Sequence, residues 1–315
     1  MKVAFIVGDF PTISTFIIDQ VAGLLDHGID VQIFALDKVK IDHNISQKFF
    51  DYKMQQRTHY LVWPHSWIER IILAAPKFLR ILFSQPALLK DVFNAKKYGR
   101  NALSLKLLFW IEPFLGKKFD IVHCHFGTTA NKFLIIREIL NIKVKIITTF
   151  YGYDVSHLFK TKGKSYYDKL KKIGSLFFVM SEDMKQRVVR YGFDADKVIV
   201  HPVGIDVEEY HFQSRVNNSD SIDIASVGRF VEKKGFDDLL RALEIVKKKT
   251  AKNIKCHIIG GGPLEEDLKK LTTDLNINDI VTYHGYMQVE EVLNFFKNID
   301  LFIQPSKTAK NGDME

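Results

Sequence analysis

Cysteine is nearly missing from this chain. Its 315 residues include only Cys124 and Cys256, far apart and each inside an apolar run. Two such thiols supply neither a disulfide framework nor a cysteine-based zinc site, and they suit a reducing, cytoplasmic setting. Long apolar runs are missing too. None approaches the roughly 20 residues of a membrane-spanning helix. The apolar opening at 3–7 is cut short by Gly8-Asp9-Phe10-Pro11, which reads as strand then loop rather than as a signal peptide. No RNA- or DNA-binding motif is evident and the lysines are spread out, so nucleic acid is not an expected partner. What is present is a globular balance, 46% hydrophobic and 26% charged, with a formal net charge of +8. That balance favours an anionic partner, such as a phosphorylated substrate or an acidic membrane surface.

Strand-length apolar runs alternate with segments of helical period. Residues 3–7, 31–36, 121–125, 145–149, 176–180 and 198–201 read as strands. Between the first two, Phe16, Ile17, Val21, Leu24 and Leu25 share a helical face, and Gly28 closes the helix. A second series follows the polar stretch 213–221. Its strands are 222–227, 256–259, 280–283 and 301–304, with helices at 236–249, 264–275 and 289–298. The rhythm predicts an α/β protein of two Rossmann-like, doubly wound parallel-sheet domains, residues 1–205 and 206–315, facing a cleft. Ligands in such folds sit beyond the carboxyl ends of the strands.

The turn Gly228-Arg229-Phe230-Val231-Glu232-Lys233-Lys234-Gly235 lies between a strand and a helix. Backbone N–H groups and a helix N-terminus suit phosphate there. Arg229 can grip two phosphate oxygens and Lys234 adds a point charge; a surface loop with solvated charges is the competing reading. Gly260-Gly261-Gly262-Pro263 lacks the third glycine of a dinucleotide fingerprint. Glu265 and Glu266 follow where a pyrophosphate would be repelled, so a tight turn with backbone open to a ligand is the better reading. His123 and His125 point to one side of a strand. No third metal ligand is evident, which favours two cleft-facing histidines over a metal site. After the next strand, Asp154 in Phe150-Tyr151-Gly152-Tyr153-Asp154 is either an acceptor for hydroxyls or a helix cap.

Residues 66–100 break the rhythm. Trp67, Ile68, Ile71, Ile72, Ala75, Phe78, Leu79, Leu82 and Phe83 are helically spaced, with Arg70, Lys77 and Arg80 among them and Lys90, Lys96, Lys97 and Arg100 after them. A basic amphipathic helix of this kind suits an anionic membrane surface; a core-packing helix is the alternative. Pro76 and Pro86 predict a broken element.

Taken in order, these pieces resemble the family 4 glycosyltransferases, retaining sugar-nucleotide-dependent enzymes of the GT-B fold, in particular colanic-acid and exopolysaccharide transferases. The similarity is carried by Phe10-Pro11 with Ser14-Thr15-Phe16-Ile17, His123-Cys124-His125-Phe126-Gly127, Val179-Met180-Ser181, Val203-Gly204-Ile205-Asp206, Gly228-Arg229 with Lys233-Lys234-Gly235, Ile259-Gly260-Gly261-Gly262-Pro263-Leu264, His284-Gly285 and Gln304-Pro305-Ser306. The resemblance implies that Arg229 and Lys234 hold the donor diphosphate without a metal or other cofactor. It places Gly228, Gly261, Gly262, Pro305 and Ser306 at the donor, and His123, His125, Tyr151 and Asp154 on the acceptor side. Tyr151 stands where the family usually has histidine. Glu315 matches the first glutamate of the family's Glu-x7-Glu motif, which contacts the donor sugar, and the second would lie past the end of this sequence. The implied activity is transfer of a sugar from a nucleotide sugar to a saccharide acceptor, lipid-linked, at the inner membrane face in surface-polysaccharide synthesis. A truncated, inactive remnant that at most binds nucleotide is the alternative, and a sugar-nucleotide epimerase of the same fold is the enzyme rival.

Overall fold

The apolar opening run becomes an interior strand of a seven-stranded sheet. Strand β1 (Lys2–Phe10) alternates its side chains between two cores: Ala4 and Ile6 enter one, and Val3, Phe5 and Val7 enter the other. A strand covered on both faces has no use for polar residues, which is why the run is continuous rather than alternating. Its companions are β2 (Asp30–Lys38), β3 (Thr58–Tyr60), β4 (Ile121–His125), β5 (Lys145–Thr149), β6 (Leu176–Val179) and β7 (Val198–Val200). All pairings are parallel, in the order β3-β2-β1-β4-β5-β6-β7. Strand β3 has no signal in the sequence, because its three half-buried residues carry no apolar run.

The computed structural model describes residues 1–11, 15–39, 45–205, 207 and 221–314. They fall into two units, Met1–Gly204 and Ile205–Glu315. The second is built on β8 (Ser221–Val227), β9 (Asn253–Ile259), β10 (Val281–Gly285) and β11 (Leu301–Phe302), all parallel in the order β10-β9-β8-β11. The helices Phe236–Lys249 and Glu265–Asp274 bury Leu239, Leu240, Leu243 and Leu268 against Ile224, Ile254, Cys256 and Ile258. In each sheet the strand order reverses beside the first strand of the unit, between β1 and β4 and between β8 and β11. Those reversals open crevices at the strands' carboxyl ends.

Residues 66–100 do not break at Pro76. One helix, Trp67–Ser84, runs through it and stops at Gln85, ahead of Pro86. Pro76 and Ile72, whose carbonyl loses its donor to the proline, are both exposed, so water can serve that carbonyl. Only Ala74 and Ile81 of this helix are buried.

The helix Gly127–Ile139 begins where no side chain fits. A Cβ on Gly127 would lie 2.6 Å from the rings of both Phe150 and Tyr167, and both rings are buried. Gly127→Ala is therefore expected to destabilise the first unit by about 1–3 kcal/mol through overpacking. Trp63, Trp67 and Trp110, the chain's three tryptophans, all lie in that unit. Urea unfolding followed by tryptophan fluorescence reads the effect, and an unchanged midpoint would show that the aromatic cluster yields freely.

Candidate functional site

The first unit's switch point is an aromatic and histidine cluster. His123 and His125 stand side by side on β4 with ring centroids 4.5 Å apart, and Phe5 of β1 packs on both. Neither faces outward as expected: both are buried. The β5 edge takes up one nitrogen of each ring, while His125 Nε2 is buried with no hydrogen-bond partner among the described residues. His123 Nε2 shares a hydrogen bond of 2.7 Å with Thr149 Oγ1, and His125 Nδ1 one of 2.9 Å with the Tyr151 hydroxyl. Burial, with the nearby His201, pushes His123 down to about 4. Burial and His123 hold His125 well below the ordinary histidine value. Both rings are neutral at neutral pH. Tyr151 is only partly buried, packs against Phe16 and Phe126 at 5.0 and 4.6 Å, and is raised by burial and by Asp154, so its phenol stays protonated. Of the four residues expected on the acceptor side, Tyr151 is the one that reaches this surface.

Asp154 is the capping residue, not an outward acceptor. It is fully buried. Its carboxylate accepts the Tyr151 N–H at 3.3 Å and the Tyr167 hydroxyl at 3.5 Å, and also takes the N–H groups of Gly127 and Thr128. The helix Gly127–Ile139 has Phe126 at its N-cap, at φ 73 and with no cap of its own. Asp154, 27 positions along the chain from Gly127, supplies it by tertiary contact, which sequence spacing could not reveal. Burial raises the carboxyl to about 7 against the pull of those donors.

In the second unit, the loops that end β8 and β9 and the segment after β11 touch backbone to backbone. A Cβ on Gly260 would sit 2.0 Å from the Gly228 carbonyl, one on Gly262 would sit 2.8 Å from Phe230 N and O, and one on Gly235 would sit 1.9 Å from the Pro305 carbonyl. The Phe230 N–H donates to the Gly261 carbonyl at 2.8 Å, and the Lys307 N–H to the Lys233 carbonyl at 2.8 Å. Glycine is required here for close approach as well as for the positive φ of Gly235, Gly260 and Gly262. This seam brings Gly228, Arg229, Lys234, Gly261, Gly262, Pro305 and Ser306 to one edge. The Lys234 stem lies over Gly228, 3.4 Å from where a Cβ would stand. Arg229 is exposed and pairs with no carboxylate among the described residues. Ser306 Oγ accepts from Gln304 Nε2 at 3.1 Å. Glu315, Ser14 and Asp206 lie outside the described residues.

Other cations around the turn serve its architecture. Lys233 Nζ stands 3.4 Å from Asp313. Lys307 Nζ binds Asp237 at 2.6 Å and Asp238 at 2.9 Å, the acidic pair in the first turn of the helix Phe236–Lys249. Without Lys307 that pair would oppose an anion beside the turn. Sequence reasoning missed this residue; two adjacent aspartates behind a phosphate-type turn were the available signal that a cation must answer them.

The buried groups of the first unit predict opposing pH effects. Between 3.8 and about 7 the folded chain keeps the Asp154 proton that the unfolded chain has lost, so this contribution to stability declines as pH rises. Between about 4 and 6.5 the unfolded chain holds the His123 proton that the folded chain excludes, so that contribution grows with pH. Asp154→Asn removes the first and leaves the second. The thermal midpoint of the variant is expected to climb more steeply than wild type across pH 4 to 6.5; parallel profiles would contradict the buried, protonated carboxyl.

Comparison with known proteins agrees with this arrangement in both halves. The family model Glycosyltransferase Family 4 matches residues 13–209 and Glycosyl transferases group 1 matches residues 207–312. The amylovoran biosynthesis glycosyltransferase AmsK of Erwinia amylovora is 30% identical, over 100% of this chain and 78% of that protein. The putative colanic acid biosynthesis glycosyltransferase WcaL of Escherichia coli (strain K12) is 28% identical over the same shares. Among solved structures, Anabaena Alr3699/HepE in complex with UDP and glucose gives a TM-score of 0.60 at 13% identity, covering 98% of this chain and 75% of that one. TarM gives 0.64 at 13%, covering 97% and 80%. The two likenesses show the GT-B fold. Because both halves match in sequence order and 30% identity holds along the full length, this chain is a glycosyltransferase and belongs to family 4, group 1.

Proposed function

We propose that the chain moves a sugar from a nucleotide-sugar donor to a saccharide acceptor with retention of configuration, and that Arg229 and Lys234 hold the donor diphosphate. The observation that carries this reading is the turn after β8. It presents an exposed arginine and a lysine laid over a glycine backbone at the sheet's switch point. Departure of a nucleoside diphosphate builds negative charge on its β-phosphate, and two fixed cations stabilise that charge where it develops. The C1–O bond to phosphate breaks, the C1–O bond to the acceptor forms on the same face, and the acceptor proton passes to a phosphate oxygen. No protein base is required. The acceptor-side groups suit that route: His123 and His125 are buried and weakly basic, Tyr151 stays protonated, and Asp154 is committed to capping. Glu315 matches the family's first glutamate, which would contact the donor sugar.

Relatives named for amylovoran and colanic acid biosynthesis support a saccharide acceptor of surface-polysaccharide synthesis, lipid-linked at the inner membrane face. Solved structures of Alr3699/HepE hold UDP or UDP-glucose, and one group of relatives is named GDP-mannose-dependent, so UDP and GDP are the diphosphates to compare.

Titration calorimetry tests the clamp. Wild type is expected to bind UDP or GDP with chelator present, since the cations replace a metal. Arg229→Ala and Lys234→Ala should each weaken diphosphate binding by roughly 10- to 100-fold, the worth of a charge-assisted hydrogen bond, while leaving the bare nucleoside unaffected. Equal affinity in wild type and both variants would refute the assignment.

A further inference from the structure

The helix Trp67–Ser84 is turned inside out. Its inward line is Arg70, Ala74, Lys77, Phe78 and Ile81, and the two cations in it point at the protein. Arg70 donates to the carbonyls of Pro64 at 2.9 Å, His65 at 3.1 Å and Ser104 at 3.3 Å. Lys77 Nζ pairs with Glu112 at 3.0 Å, and Arg80, half exposed, pairs with the other oxygen of the same carboxylate. The exposed side is mostly hydrocarbon: Trp67, Ile68, Ile71, Ile72, Leu79 and Phe83, with Ile68 71% and Phe83 83% exposed, and Glu69 and Arg80 at its flank. Isolated exposed apolar residues are ordinary, but a continuous ridge along an 18-residue helix, roughly 27 Å long, is not.

We infer that this ridge lies flat in the headgroup–acyl boundary of a lipid bilayer and binds through hydrocarbon rather than through charge. The pattern of apolar residues interleaved with cations suggests electrostatic docking, yet the helix cations are committed to Glu112 and to backbone carbonyls. The helix is not long and apolar enough to cross a membrane, so it rests in the surface plane. Trp67 at one end matches the preference of tryptophan for the interface. The exposed cations without a carboxylate partner among the described residues are Lys90, Lys96 and Arg100, on the segment that follows, beside exposed Phe93 and Leu103; Lys97 there pairs with Glu138. They complement anionic headgroups and disfavour a second copy of a chain whose net charge is +8. The inference needs no donor or acceptor and stands apart from the diphosphate clamp.

Flotation of the whole chain with phosphatidylcholine vesicles, with and without phosphatidylglycerol, tests it. The salt concentrations are about 0.1 M and about 1 M, where the screening length falls from about 10 Å to about 3 Å. Recovery on neutral vesicles is expected to survive high salt, with anionic lipid adding to it only at low salt. Ile68→Ser, Ile72→Ser and Phe83→Ser together should cut binding to neutral vesicles by roughly tenfold or more without changing the far-ultraviolet melt, since all three side chains are exposed. Lipids brominated in the acyl chain should quench wild type more than Trp67→Phe. The proposal is overturned by binding that requires anionic lipid and vanishes in high salt. It is equally overturned by no binding at all, by a triple variant that floats like wild type, or by a lipid-free dimer that the triple variant converts to monomer.

Discussion

Each unit hangs on a strand that water does not reach. The middle of β1 is buried on both faces, and β8 carries Ile224, Ala225 and Ser226 in the same condition. Side chains in such strands serve packing almost entirely, because a polar group there lacks a partner, as the buried Ser226 hydroxyl does among the described residues. Chemistry is displaced to where the strands end and backbone re-emerges. Parallel pairing aligns those ends on one edge, and the reversal of strand order beside β1 and β8 keeps the connections from closing over it.

The two edges use that position differently. In the second unit, glycine lets three segments touch at backbone distance. Lys233 and Lys307 answer aspartates, while Arg229 faces out and Lys234 lies along the Gly228 backbone. In the first unit the polar groups turn inward. His123, His125, Thr149 and Asp154 form a buried layer that orders helix starts and strand ends, leaving Tyr151 with Phe16 and Phe126 at the surface. One edge is arranged to hold charge and the other to present an aromatic surface.

Much of this is legible in the amino-acid sequence. The strand runs at 121–125 and 145–149 and the helix at 236–249 coincide with observed elements, because each carries a local period and local punctuation. The glycine-rich loops of the second unit were legible for the same reason: glycines and cations follow strands at short spacing. The misses share a cause. Strand β3 is held by pairing with Ile33, Phe34 and Ala35 rather than by its own composition. Asp154 and Lys307 act on helix starts distant in the chain, and the burial of His125 depends on Phe5 and Tyr151, brought over it by other strands.

Residue order alone was enough for the two-domain α/β rhythm, the phosphate-type turn with Arg229 and Lys234, and the set of residues that share a side of the helix Trp67–Ser84. It could not say which side of that helix turns inward. Periodicity reports who shares a face, whereas the choice of face depends on what the neighbouring surface offers. Here the neighbour offers Glu112 and the carbonyls of Pro64, His65 and Ser104, which bind cations more strongly than they bind hydrocarbon. Folding therefore drew Arg70 and Lys77 inward and left Ile68, Ile72 and Phe83 to the outside.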